Sequence, residues 1–352
     1  MNNLNSLAND LDHVLTHTEG LWDELRGQRI FITGGTGFFG CWLLESFAHA
    51  NAQLGLQAHA VVLTRDPAGF AAKAPHLAKR SDIEFLAGDV RTFSFPDGPF
   101  AHVIHAGTTS SAPVEPGEMF ATIVDGTRRV LEFAAGHGTG KLLLVSSGAV
   151  YGRQPSDLTH IREDYPGAPD PLAPASAYGE GKRAAELMCA LASRKPGFEA
   201  KIARCFAFAG PYLPLDAHFA IGNFIRDALG GGPIRVAGDG TPHRSYLYAA
   251  DLAVWLWTIL LKGPSGRAYN VGSDIGLCIA ELARLVADAV ASKVEVIVAK
   301  QSDRQKPPER YVPSTIRARE ELGLRQQIGL TEAVSRTIIW QRHRRTGTSC
   351  KN

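Results

Sequence analysis

From Arg29 onward the chain alternates between two kinds of hydrophobic pattern. Short apolar runs rich in β-branched residues fall at 30–33, 60–63, 83–86, 103–105, 142–145 and 202–206. Most are separated by longer stretches with helical spacing, such as 42–50, 119–135 and 177–194. Strands alternating with helices predict an α/β fold with a doubly wound parallel sheet, covered on both faces. After about residue 210 the rhythm loosens. Pro211, Pro214, Gly230, Gly231, Gly232 and Pro233 mark loops, 234–237 and 268–271 read as short strands, and 251–261 and 279–291 as helices. This predicts a parallel-sheet body over 28–210 and a smaller, irregular C-terminal lobe over 211–345 that supplies substrate contacts, some of its segments returning to the core. Ahead of the first strand, 1–27 reads as a helical extension. Leu4, Leu7, Leu11, Val14 and Leu15 recur at three- and four-residue spacing there, an apolar stripe expected to dock on the body.

Composition changes this picture little. With 45% hydrophobic and 20% charged residues over 352 positions, the chain has the balance of an ordinary globular protein. Its 37 basic and 35 acidic residues leave a net charge of +2, which gives no case for a nucleic-acid partner. The basic run Arg342, His343, Arg344, Arg345 reads as a solvated tail. The cysteines Cys41, Cys189, Cys205, Cys278 and Cys350 form no CxxC pair, and no histidine completes a zinc set, so no metal is expected. Free thiols and no signal peptide make the cytoplasm the expected location. The apolar stretch 252–261 is about half of what a membrane span needs.

Two motifs carry chemistry. Ile30-Phe31-Ile32-Thr33 leads into Gly34-Gly35-Thr36-Gly37-Phe38-Phe39-Gly40, and a helix-like segment from Cys41 follows. Glycine there permits a tight turn, close backbone approach to a pyrophosphate, and close packing of helix on strand. The helix start offers free N–H groups and partial positive charge to the phosphates. A plain loop is the simpler alternative, but strand-before and helix-after is the context the motif requires. At the end of the second strand, an acid would hold the ribose hydroxyls and an arginine would accept a 2′-phosphate. The usual acidic position falls on Thr64, followed by Arg65, which leans towards NADP; Asp66 keeps NAD open.

The second motif is Tyr178-Gly179-Glu180-Gly181-Lys182. On a helix its tyrosine and lysine share one face. A free phenol titrates near pH 10 and is a poor base at neutrality; a neighbouring ammonium favours the phenolate. Alone, this spacing also describes an ordinary surface pair.

Glycines spaced three apart, followed by this Tyr/Lys pair, resemble the short-chain dehydrogenase/reductase pattern. TGGTGFFG is similar to the extended branch, the Rossmann-type epimerase/dehydratase enzymes acting on nucleotide sugars, and the likeness covers roughly 27–340. The resemblance implies that Ser147, in the segment ending Val150-Tyr151-Gly152, is the catalytic hydroxyl beside Tyr178 and Lys182. It implies cofactor contacts at Gly34, Gly37, Phe38, Phe39, Gly40, Arg65, Asp89, Val90 and Ala106, with Tyr178 and Lys182 at the nicotinamide ribose. For Asp89, a plain turn residue is the alternative. It places Asn223 and Arg244 at the substrate diphosphate and Arg310 nearby, although a surface cation describes Arg310 equally well. Thr108, with Thr109 and Ser110, follows the fourth strand and can supply hydroxyls to the sugar or cap a turn. A homodimer through the helices at 119–135 and 177–194 is also implied.

The departures from the pattern are informative. Sugar 4,6-dehydratases of this kind carry acids in the two positions after the catalytic hydroxyl, and the decarboxylases carry a glutamate two residues after it. Here those positions are Gly148 and Ala149, which cannot move a proton. Hydride transfer remains, in a 4-keto sugar reductase or a 4-epimerase. Asparagines common in the family are replaced by Ile123 and, after the sixth strand, by Arg204-Cys205-Phe206-Ala207. A non-catalytic cofactor-binding regulator and a reductase of small carbonyl compounds are the competing classes. The intact Ser/Tyr/Lys set argues against the first, and the phosphate-type loop around Arg244 against the second.

Overall fold

The computed structural model describes residues 7–108, 114–217, 219–290, 293–303, 305 and 307–349. The chain opens with α1 (Ala8–His17) and a single 3-10 turn at Trp22–Leu25. Then follow β1 (Arg29–Thr33), α2 (Phe38–Leu54), β2 (His59–Thr64), α3 (Pro67–Lys73), α4 (Pro75–Ala78), β3 (Ile83–Ala87), β4 (His102–His105), α5 (Pro116–Gly136), β5 (Lys141–Ser147), α6 (Ala177–Ala192) and β6 (Glu199–Cys205). The remainder comprises β7 (Phe208–Ala209), α7 (Ala220–Leu229), β8 (Ile234–Val236), β9 (His243–Arg244), β10 (Leu247–Tyr248), α8 (Ala249–Lys262), β11 (Ala268–Val271), β12 (Leu277–Cys278), α9 (Ile279–Asp288), β13 (Val296–Val298), β14 (Arg310–Tyr311), α10 (Ile316–Leu322) and α11 (Leu330–Ser349).

Seven strands form one sheet in the order β11-β6-β5-β4-β1-β2-β3. All its pairings are parallel. Alternation along β1 sends Phe31 into the core under α5 and α6, and Ile30 and Ile32 into the core under α2 and α8. Both faces are therefore buried, which is why the strands read as continuous apolar runs. The order reverses between β1 and β4, and at such a switch point a crevice opens at the carboxyl ends of the strands.

Segments beyond residue 210 take part in the main sheet and its covering layers. β11 completes the main sheet beside β6, and α8 packs on its face against α2. Every residue from Ala249 to Leu261 of α8 is buried, because α1 covers the side turned away from the sheet. Leu7, Leu11 and Val14 of the stripe are buried there, Leu15 packs beside them, and Leu4 lies outside the described residues. Tyr248 donates to Asp10 at 2.6 Å, Asp10 also pairs with Arg336 of α11, and His13 meets Asp251 at 2.9 Å. The basic run at 342–344 is not a tail: these residues are exposed but belong to α11, with Arg344 lying 4.9 Å from the Trp340 ring centre.

Candidate active site

β1 delivers the chain to the switch point, and the glycine turn reverses it into α2. Gly34 holds a left-handed φ of +71°, and a Cβ there would stand 2.5 Å from the Ala106 carbonyl. The segment leaving β4 crosses directly over the turn, its Ala106 N–H donating to the Thr33 carbonyl at 3.1 Å. At Gly40 an added Cβ would overlap the Gly35 backbone, so α2 lies closer to the turn than any side chain permits. Gly37 caps α2 with no side chain, leaving the first-turn N–H groups of the helix free for an anion. Phe38 and Phe39 form that first turn, half-buried, with Phe39 set edge-on to Phe208 at 5.0 Å. A dinucleotide pyrophosphate fits this arrangement: the backbone is bare, close and rich in donors.

At the neighbouring strand ends, Thr64 is buried and Arg65 exposed. Asp66 is committed elsewhere, accepting the Gly69 N–H at 2.8 Å to cap α3. Asp89 accepts both the backbone N–H and the Nε of Arg91 at 2.9 Å. That guanidinium holds the Asp89 carboxyl below the usual carboxylate range. Val90 packs on α5, where a Cβ at Gly126 would come within 2.9 Å of its methyl.

Across the crevice, α6 runs along β5. Tyr178, Lys182 and Glu186 recur every four residues and face the strand. Lys182 is buried; its Nζ donates to the Val145 carbonyl at 2.8 Å and lies 5.9 Å from the Tyr178 ring centre. Loss of water pulls its pKa down to about 8. Burial raises the pKa of the Tyr178 hydroxyl, and an interaction with the Ser147 hydroxyl opposes that rise. Ser147 ends β5, and its Oγ accepts the Ala149 N–H at 3.1 Å. Glu186 anchors the helix: it accepts Ser146 Oγ at 2.6 Å and pairs with the Arg204 guanidinium at 2.7 Å. Ile123, at the position of the missing asparagine, is buried on α5 against Gly181 of α6.

The wall beyond Ser147 was not read from the sequence. Phe206 follows β6, and its ring centre lies 4.6 Å from that of Tyr311 in β14. A Cβ at Gly148 would stand 2.7 Å from both the Tyr311 hydroxyl and the Phe206 ring. Tyr311 immediately follows Arg310 in a two-residue strand, too short for any local period to bring β14 back to the end of β5.

The substrate candidates divide. Arg244 of β9 is the register partner of Tyr311 and lies 5.9 Å from its ring centre, on the same face of the small sheet. Arg310 pairs with His243, and strand alternation points it to the opposite face. Asn223 is half-buried on α7, its Oδ1 accepting Arg226 at 3.1 Å. Thr108 lies just past β4, while Thr109 and Ser110 lie outside the described residues. Among the described residues no cluster of metal-ligating side chains occurs, and no helix is long and apolar enough to cross a membrane.

Fold and switch-point crevice together define a dinucleotide-dependent enzyme of the short-chain dehydrogenase class. Residues 30–272 match the NAD-dependent epimerase/dehydratase family, and the chain belongs to it. Among curated proteins it is 30% identical over 319 residues to UDP-glucuronic acid decarboxylase 1 of Xenopus tropicalis, covering 90% of this chain and 72% of that one. It is 26% identical to the dTDP-glucose 4,6-dehydratase of Streptomyces antibioticus, over 90% of this chain and 93% of that one. Among solved structures, a dTDP-glucose 4,6-dehydratase from Streptomyces venezuelae with NAD bound superposes with a TM-score of 0.73 at 25% identity, covering 91% of this chain and 98% of that one. The UDP-glucose 4-epimerase of Thermotoga maritima, at 20% identity, shares the fold with a TM-score of 0.74 over 90% of this chain and 99% of that one.

Proposed function

We propose that this enzyme transfers hydride at C4 of a nucleotide-linked hexose, reducing a 4-keto or 4-keto-6-deoxy sugar without loss of water or carbon dioxide. One observation carries the reading: Gly148 and Ala149 follow Ser147, and the space a side chain at 148 needs is already filled by Phe206 and Tyr311. The relatives named as dehydratase and decarboxylase resemble the chain in sequence, but the carboxyl group expected just after the hydroxyl is missing here.

Bound nicotinamide supplies the hydride. Gly34, Gly37, Phe38, Phe39, Gly40 and Ala106 would hold the cofactor, and Asp89 and Val90 would contact its adenine. Tyr178 gives a proton to the C4 oxygen as hydride arrives, and Ser147 donates a hydrogen bond to that oxygen while its charge develops. Lys182 favours the phenolate and holds the ribose. Arg244 would receive the diphosphate through paired hydrogen bonds, and Asn223 is the second candidate contact. Arg65 is exposed while Asp66 is committed to capping α3, which supports NADP. A 4-epimerase retaining NAD is the second reading, favoured by the NAD dependence of the family. We infer a homodimer through α5 and α6, which expose Phe120, Leu187 and Leu191. Free thiols at Cys41, Cys189 and Cys205 support a cytoplasmic location.

Incubation with UDP-, dTDP-, GDP- and CDP-hexoses and their 4-keto-6-deoxy forms, with NADPH or NADH, tests the proposal. Consumption of reduced cofactor with gain of two hydrogens is the expected result. Inverted C4 without net cofactor use would assign the epimerase. Loss of water or carbon dioxide would overturn both.

A further inference from the structure

Behind the glycine turn, three buried side chains form a run of hydrogen bonds that no step above uses. Thr33 ends β1, His105 ends β4 and Thr127 lies on α5, and all three are shut away from solvent. His105 Nδ1 stands 2.7 Å from Thr33 Oγ1, and its Nε2 stands 3.1 Å from Thr127 Oγ1.

The protons along this run can be assigned one after another. Thr127 has a single hydroxyl proton, and it donates that proton to the Ile123 carbonyl at 2.7 Å. His105 Nε2 must therefore carry a proton of its own and donate to Thr127. Burial, reinforced by the Lys182 ammonium, holds the imidazole neutral, its pKa pulled down to about 3. A neutral imidazole has one N–H, so Nδ1 is bare and accepts the Thr33 proton. Thr33 Oγ1 keeps its lone pairs for other donors, and the Gly107 N–H donates to it at 3.0 Å. The opposite tautomer would bring two donors onto Thr33 Oγ1 and turn its own proton away from the imidazole.

The bond to Gly107 bears on the cofactor because of where that residue lies. Thr33 fastens the segment leaving β4 twice, its carbonyl accepting from Ala106 and its hydroxyl from Gly107. The fit is close, since a Cβ at Gly107 would stand 2.9 Å from Thr33 Oγ1. We propose that His105 is a positioning residue for the cofactor: as the Nε2–H tautomer it makes the Thr33 hydroxyl an acceptor, and so fixes Ala106 and Gly107 over the glycine turn. The inference rests on the cofactor contacts proposed at Gly34 and Ala106.

The tautomer is read by nitrogen NMR on the full chain carrying isotope-labelled histidine, with the His105 signals assigned by their loss in His105→Asn. A proton on Nε2 alone is expected, unchanged from about pH 6 to pH 8, where an ordinary histidine titrates near pH ~6.5. NADH fluorescence then reads the consequence. Thr33→Val, which replaces the hydroxyl with a methyl, should weaken NADH binding about three- to tenfold, the worth of one hydrogen bond. Thr33→Ser, which keeps the hydroxyl, should bind within about twofold of wild type. His105→Leu should match Thr33→Val, and the double variant should be no worse than either. His105→Asn, whose amide oxygen can stand in for Nδ1, should recover most of the affinity. A proton on Nδ1, or NADH affinity unmoved in Thr33→Val, would overturn the inference, and neither reading depends on His105→Leu folding. The proposed cofactor seat is judged separately by Gly40→Ala. Were NADH binding untouched there, the seat would fall; were it lost there but unmoved in Thr33→Val, the role of His105 alone would fall.

Discussion

Lys182 sits beside Tyr178 with almost no water around it, and the consequences for pH follow from that burial. Folded, it loses its proton near pH 8; unfolded, it does so only near pH ~10.4. Between those values the unfolded chain holds more protons, so stability from this group rises as pH climbs from about 8 to ~10.4, and the penalty for keeping it charged is fully present below that window. Lys182→Met should flatten that slope in denaturation measured at pH 8 and pH 10. Tyr178→Phe should leave cofactor binding intact and abolish single-turnover hydride transfer; a rate within about threefold of wild type would remove it from the chemistry. Arg244→Ala should weaken nucleoside diphosphate binding by about 1.5–3 kcal/mol in calorimetry and change the chemical step less. Gly148→Asp tests the crowded wall. It should lower the melting temperature without creating loss of water, since its Cβ would stand 2.7 Å from the Phe206 ring. The residues that local spacing could expose, Gly34, Gly40, Tyr178 and Lys182, were legible in the sequence because each motif lies within one turn or one helix. Tyr311 and Phe206 were not, because their meeting depends on two strands more than a hundred positions apart.

The elements show the same division. Strands β1 to β6 were legible within a few residues, since burial on both faces leaves each an unbroken apolar run between helical spacings. β7, β9, β10, β12 and β14 have two residues each, too few to carry any period, and were invisible. The glycine turn is the element with the least tolerance. Gly40→Ala would force a Cβ into the Gly35 backbone, so α2 must retreat from the turn and its first N–H groups with it. Titration with NADH fluorescence should show binding lost or weakened by more than tenfold, roughly the worth of one charged hydrogen bond, while circular dichroism stays that of the folded protein.

At the scale of the whole molecule, the α5–α6 face presents Leu187 and Leu191 at 61% and 57% exposure, unusual for leucines on paired helices. Light scattering should give about twice the 37.9 kDa chain mass, and Leu187→Glu with Leu191→Glu should return it to a monomer. The clasp formed by α1 has a consequence in time. Asp10 and His13 find their partners Tyr248 and Asp251 at a separation of 238 residues, and Arg336 at 326. On a ribosome adding roughly 5–20 residues per second, α1 waits at least ~12 s before the α8 side of its seat exists. A helix this short is marginal on its own in water, so it passes that interval as an unsettled apolar segment. Nascent chains stalled before α8 should therefore bind holdase chaperones through the α1 segment, and release them once α8 has emerged.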